Sequence, residues 1–165
     1  MHLAIAIPID PRPWSVGRIL KLGKHMSLQK ADVLTEYQHA IYHCVRRAVP
    51  ETFREFDGVL RLDIVAVFAR PKRLMRAKDP DGFILHDRRP DRDNLAKAVQ
   101  DAIGSPPEGS PLLLKDDARV VVGETLKVYA EKGGAACVLV VLDTEIGTAT
   151  EELERMGVLS ILSAR

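Results

Sequence analysis

The chain has 165 residues, 46% of them apolar and 28% charged, with a formal net charge of +1. That is enough chain and enough apolar surface for one domain with its own core, and it excludes a disordered tail or a histone-like polycation. No stretch approaches the length of a membrane span, and the apolar start 3–7 is too short and lacks the basic lead of a signal peptide.

In chain order, residues 2–9 alternate as a first strand closed by Pro8, Pro11 and Pro13. The loop that follows carries Trp14, the only tryptophan, beside Arg12 and Arg18; a packing plug and a base-stacking residue are both consistent with that position. Residues 16–22 and 25–28 suggest a short hairpin around Gly23. The clearest helix is 31–49, with Leu34, Tyr37, Ile41, Cys44, Val45 and Ala48 on one stripe and Pro50 as its stop. His39 and His43 share the other face without the intervening acid of a zinc-protease pattern, so that face is expected to be solvated.

The alternation Leu60, Leu62, Ile64, Ala66, Phe68 predicts a long strand over 59–69. A basic loop of about twenty residues follows, a length that is uncommon in compact domains without a function, and it is expected to be poorly ordered without a ligand. A short helix over 94–103 is predicted from Leu95, Ala98, Val99, Ala102 and Ile103, ending at Gly104. After the Pro/Gly-rich 104–111 and Leu112-Leu113-Leu114, residues 119–130 and 135–143 are two strand patterns around Lys132-Gly133-Gly134, a hairpin signal. Glu124 interrupts the first of them, which a bulge near Gly123 or an edge position would resolve. Thr148 and Glu151 have capping-box spacing ahead of a helix to about Gly157. The expected fold is α+β, a mixed sheet of about four to five strands with helices packed on one side. Residues 1–143 form the main domain and 144–165 a helical extension with an apolar tail.

Charge is segregated along the chain. Residues 11–30 hold Arg12, Arg18, Lys21, Lys24 and Lys30 with no acid, and 70–92 hold eight Lys or Arg against four Asp, while acids gather at Glu51, Glu55 and Asp57 and again beyond Asp143. A near-neutral total therefore hides a basic face of the kind that phosphates require. Cys44 and Cys137 belong to no metal-ligand spacing and are expected to be buried thiols in an intracellular setting.

The most informative stretch is 88–117, with Asp91, Asp93, Asp101, Asp116 and Asp117 among basic residues. If Pro90 holds its surroundings extended, Asp91 and Asp93 leave on one side and Arg92 on the other. Lys97 lies one helical turn from both Asp93 and Asp101. Converging carboxylates with a nearby Lys suit Mg²⁺, which takes one or two carboxylates and keeps waters and phosphate oxygens, and they describe a phosphodiester-cleaving site. A structural reading fits the same residues: Asp93 as a helix cap, Asp91 as a turn residue, Lys97 at the centre of two ion pairs, and Asp116-Asp117 as turn punctuation. His86, just upstream, stands as a bystander.

The ordered set Arg89-Pro90-Asp91-Arg92-Asp93-Asn94-Leu95-Ala96-Lys97, then Asp101-Ala102, then Asp116-Asp117-Ala118-Arg119-Val120 resembles the RusA family of Holliday junction resolvases. Fainter similarity extends over roughly residues 3 to 142. The linker 104–111 is longer than that family's usual turn, and Leu112-Leu113-Leu114 replaces the aromatic residues often found before the Asp-Asp pair. The resemblance implies an endonuclease domain over 1–143 that resolves four-way junctions in DNA recombination and repair. It implies Asp91, Asp93 and Asp117 as metal-binding catalytic carboxylates, Lys97 as their assistant, Asp116 as a candidate fourth ligand, and Mg²⁺ as the cofactor, with Mn²⁺ able to substitute. Arg12, Arg18, Lys21, Lys24, Arg70, Lys72, Arg73, Arg76, Arg88, Arg89 and Lys127 are the candidate DNA-binding residues. Family members act as homodimers, and the approximate two-fold symmetry of a junction asks for two symmetric nicks. The expected setting is cytoplasmic, at the nucleoid or phage-encoded. Two other classes remain: a branched-DNA-binding protein without catalysis, and a transferase holding a metal-bound nucleotide on paired Asp, for which the chain lacks a Gly-rich phosphate loop.

Overall fold

A computed structural model describes residues 1–15, 32–56, 58–104 and 113–158, together with the backbone of 19–22 and 25–28. It is α+β. Strands β1 (His2–Ile7), β4 (Leu60–Phe68), β6 (Val120–Val122), β7 (Thr125–Tyr129), β5 (Ile84–Leu85) and β8 (Cys137–Asp143) form one six-stranded mixed sheet. Its order is β1-β8-β4-β7-β5, and β6 pairs with the first residues of β4. The expected hairpin around Gly23 is present as β2 (Ile19–Leu22) and β3 (His25–Leu28).

Two long helices, α1 (Asp32–Ala48) and α2 (Arg92–Gly104), cover one face of the sheet. The stripe Leu34, Tyr37, Ile41 and Val45 meets Leu95, Ala98, Val99, Ala102 and Ile103, and both pack on Leu60, Leu62, Ile64, Val138, Val140 and Leu142. Small residues on α2 let the helices approach closely enough for Gln38, itself buried, to donate from Nε2 to the Ala98 carbonyl at 3.3 Å. Truncating a fully buried Leu such as Leu95 would cost about 2–5 kcal/mol. Cys44 and Cys137 are half-buried rather than enclosed, and His39 and His43 are exposed, as expected of a solvated face.

The hairpin expected around Lys132-Gly133-Gly134 does not form. β7 runs parallel to β4 on one side and β8 antiparallel to it on the other, so β4 separates the two strands. The turn, with Gly133 at φ +81°, instead carries the chain across the end of β4. The strand pattern over 119–130 is likewise two strands, broken at Gly123 and Glu124. A Cβ on Gly123 would lie 2.1 Å from the Leu62 carbonyl oxygen, so only glycine fits there. Glu124 is tied down by its own amide, which donates to Asp63 Oδ1 at 2.8 Å, and by an ion pair with Arg155 at 3.3 Å.

The last helix, α3 (Ala149–Arg155), has the predicted capping box between Thr148 and Glu151. Glu152 lies 3.8 Å from Arg61, and α3 and β6 enclose an apolar cavity of about 640 Å³. No helix among the described residues is long and apolar enough to cross a membrane.

Candidate active site

The segment leading into α2 is pinned before the helix starts. The His86 amide donates to the Lys127 carbonyl at 3.0 Å, and the Lys127 ammonium donates to the carbonyls of Arg88 and Pro90, both at 2.8 Å. The Arg89-Pro90 peptide is cis. The Asp91 carbonyl then accepts from the Leu95 amide at 3.3 Å, which makes Asp91 the residue that opens the helix. The helix therefore begins at Arg92 rather than at Asn94, and Asp93 stands in its first turn. The extended geometry predicted for Asp91 to Asp93 does not hold: Asp91 immediately precedes the helix and Asp93 lies in its first turn. Asp91, Asp93 and Lys97 are all exposed there. Lys97 is one turn from Asp93, and its Nζ lies 5.0 Å from the centroid of the Trp14 ring. Trp14 itself packs against the core, its amide donates to the Asn94 carbonyl, and its buried indole N–H has no partner among the described residues. It plugs the start of α2 with the Lys97 ammonium over its ring, so the packing reading of Trp14 holds.

Asp117 is elsewhere. A Cβ on Gly104 would lie 3.6 Å from the Asp117 Cβ, so Asp117 sits at the last residue of α2. Residues 93 to 104 of that helix span about 16 Å along its axis, and the sheet enforces the same separation. Lys127, which holds Pro90, is opposite Ala66, whereas Val120, just after the Asp-Asp pair, is opposite Leu60 at the other end of β4. Asp117 shares a shallow cleft of about 240 Å³ with Gln100, Asp101, Gly104, Lys115 and Asp116. Asp116 caps the short 3₁₀ turn Asp117–Arg119 by accepting from the Ala118 amide at 2.9 Å. Among the described residues, no three His, Cys, Asp or Glu side chains gather into a metal-holding group. Within one chain, Asp91 and Asp93 thus stand at the start of α2 with Lys97 one turn on, and Asp101, Asp116 and Asp117 line the cleft at its other end.

The predicted basic residues divide in the same way. Arg12, Arg73, Arg88 and Arg89 line an open cleft of about 500 Å³ with Asp10, His86, Phe68 and Tyr129, and Arg89 precedes Asp91 by two residues in the chain. Arg70 faces inward instead. It donates to the carbonyls of Ala130 at 2.7 Å and Pro80 at 2.5 Å, and to those of Asp81 and Gly82. Arg76 is paired with Asp79, and Lys132 donates to the Asp79 carbonyl and to Asp81. The basic loop predicted to be poorly ordered is tied across its width by these contacts. Lys72 is exposed on the 3₁₀ turn Lys72–Leu74. Lys21 belongs to β2, where only the backbone is described, and Arg18 and Lys24 lie outside the described residues.

His86 has a structural place in the fold. It is buried between Phe68 and Tyr129, with ring centroids at 4.3 and 4.4 Å, and its Nδ1 faces the Arg88 amide at 3.3 Å. Desolvation, reinforced by the Lys127 charge, pushes its pKa below the ordinary histidine value. Burial therefore disfavours the charged imidazole in the cleft. No local pattern could reveal this, because Phe68, His86 and Tyr129 meet only through the registers of β4, β5 and β7.

A comparison with curated proteins finds no match. A model of the endodeoxyribonuclease RusA family matches residues 8–140, most of the chain. Its extent covers both carboxylate clusters, the basic cleft and strands β4 to β7, with β1 before it and the last residues of β8 beyond it. The chain belongs to the endodeoxyribonuclease RusA family, whose general activity is endonucleolytic cleavage of DNA at Holliday junctions.

Proposed function

We propose that this protein is a divalent-metal-dependent endonuclease that nicks four-way DNA junctions as a homodimer, in recombination and repair inside the cell. The observation that carries this reading is an exposed carboxylate pair, Asp91 and Asp93, on the segment that runs directly on from Arg88 and Arg89 of the basic cleft. The donor set fits Mg²⁺ or Mn²⁺, since hard cations bind through one or two carboxylates and leave positions for water and phosphate. When bound, the cation supplies charge neutralisation and Lewis-acid activation for phosphodiester hydrolysis. The arginines hold the backbone of the junction, and the amide end of α2 favours an anion beside the carboxylates. Lys97, its ammonium over the Trp14 ring one turn from Asp93, supplies one positive charge for the negative charge that gathers on the phosphate.

Asp117 serves this site from a second copy of the chain. Its place at the far end of α2 supports that reading, and a two-fold dimer would bring one protomer's Asp117 end to its partner's Asp91 end at two equivalent positions. Asp116 caps its own turn and is a weaker candidate ligand. Residues 1–143 are the nuclease domain and 144–165 an appended helical extension.

The same separation of carboxylates favours a second reading, a branched-DNA-binding protein without catalysis. Cleavage of four-way, flap and linear duplex DNA, compared side by side with Mg²⁺, Mn²⁺ or chelator, distinguishes the two. The nuclease reading expects metal-dependent nicking of the four-way substrate, abolished in Asp91→Asn with junction binding retained. Full cleavage by the Asp91→Asn protein would sink the assignment, and binding without nicking by the unaltered protein would leave the second reading.

A further inference from the structure

We propose that Lys127 is a positioning residue for the Asp91 and Asp93 carboxylates, acting through the backbone of the 86–90 segment and not as a DNA contact. This rests on the nuclease reading of the site. Lys127 is half-buried on β7, flanked by β4 and β5, and its ammonium spends two of its three N–H groups on the Arg88 and Pro90 carbonyls at 2.8 Å. Its own carbonyl accepts from the His86 amide at 3.0 Å. Two residues on, Tyr129 leaves the strand on the same face and stacks on the His86 ring. One short stretch of strand therefore fixes 86–90 at four points. The last of them, the Pro90 carbonyl, belongs to the peptide that begins Asp91.

The consequence concerns precision. Asp91 and Asp93 are exposed, and no described side chain packs over them to hold them in place. Their position is inherited from the backbone, and a misplacement near 1 Å at a reacting centre costs about a hundredfold in rate. A compact ammonium suits two converging carbonyls in a way that a longer planar guanidinium does not, whereas a phosphate contact would accept either.

The test uses the full chain with Lys127→Arg and Lys127→Met. Positioning predicts that kcat for metal-dependent junction nicking falls by about tenfold or more in Lys127→Arg and by about a hundredfold in Lys127→Met. Junction affinity should stay within about twofold and the salt dependence of binding unchanged. A DNA contact predicts the opposite pattern: Lys127→Arg is normal, and Lys127→Met loses affinity and about one unit of salt slope with kcat intact. That pattern would overturn the proposal. Backbone hydrogen exchange over residues 86–95 is read in parallel, with faster exchange expected in both variants. If the unaltered protein does not nick, the nuclease reading has failed and exchange alone decides the clamp; unchanged exchange overturns it. Should Lys127→Met fail to fold by circular dichroism, Lys127→Arg keeps the charge and carries the same comparison.

Discussion

Asp117 rests against Gly104, the last residue of the helix whose first turn carries Asp93. The two aspartates therefore stand at opposite ends of one rigid element, about 16 Å apart along its axis. If two protomers share each site, mixing Asp91→Asn with Asp117→Asn rebuilds one intact site in every mixed dimer. Two inactive preparations, co-refolded in equal amounts, should then recover about a quarter of the unaltered sites. Junction nicking measures this, and no recovery would place Asp117 outside the shared site.

The two kinds of arginine can be separated by salt. Arg89→Ala, in the open cleft, should weaken junction binding and lower the slope of log affinity against log salt by about one. Arg70→Ala should leave the slope unchanged, because its donors are given to loop carbonyls, and should expose residues 71–83 to trypsin. Equal salt slopes for both variants would remove the distinction.

Tyr37 should govern part of the alkaline stability. Burial pushes its phenol up to about 12, opposed by a hydrogen bond with the Arg12 backbone. The phenol ionises first in the unfolded chain, so its contribution is complete below pH 10 and is lost as pH rises toward 12, about 2–3 kcal/mol in all. Urea midpoints at pH 8 and pH 11.5 should converge in Tyr37→Phe relative to the unaltered protein. An identical pH slope in the two proteins would refute the assignment.

His86 acts at the acid end. Its folded pKa is depressed by desolvation, so below about pH 6.5 the unfolded chain takes up a proton that the folded one resists. Its contribution is intact above that pH and falls as pH drops toward the lowered folded value. Replacing it in His86→Phe keeps the stack with Phe68 and Tyr129 and removes the titration. Thermal unfolding at pH 5 and pH 7 should show a smaller acid loss in the variant, and an equal loss would be contrary.

Gly123→Ala should cost about 3 kcal/mol, since its Cβ would overlap the Leu62 carbonyl and the break between β6 and β7 would have to move. Denaturant unfolding measures it; a change under about 0.5 kcal/mol, the usual size for a surface substitution, would contradict the packing described.

Periodicity alone located α1, β4, β8 and α2 to within a few residues, because an apolar stripe or alternation is written locally and the core rewards it directly. The capping box of α3 was legible for the same reason, and the irregularity near Gly123 was legible as a bulge or an edge position, whereas the close approach of Leu62 that requires glycine there was not. The acidic motif and its Lys were legible as chemistry. Three-dimensional structure alone decided which of those residues meet. Strand order is set by long-range pairing, so the sequence could not show that β4 would part β7 from β8, or that the same sheet would carry Asp117 away from Asp91. Nor could it show that Lys127 and Arg70, candidate DNA-binding residues by charge and resemblance, would turn to backbone carbonyls. A side chain's charge is a local property. What it faces depends on which distant strand the fold sets beside it.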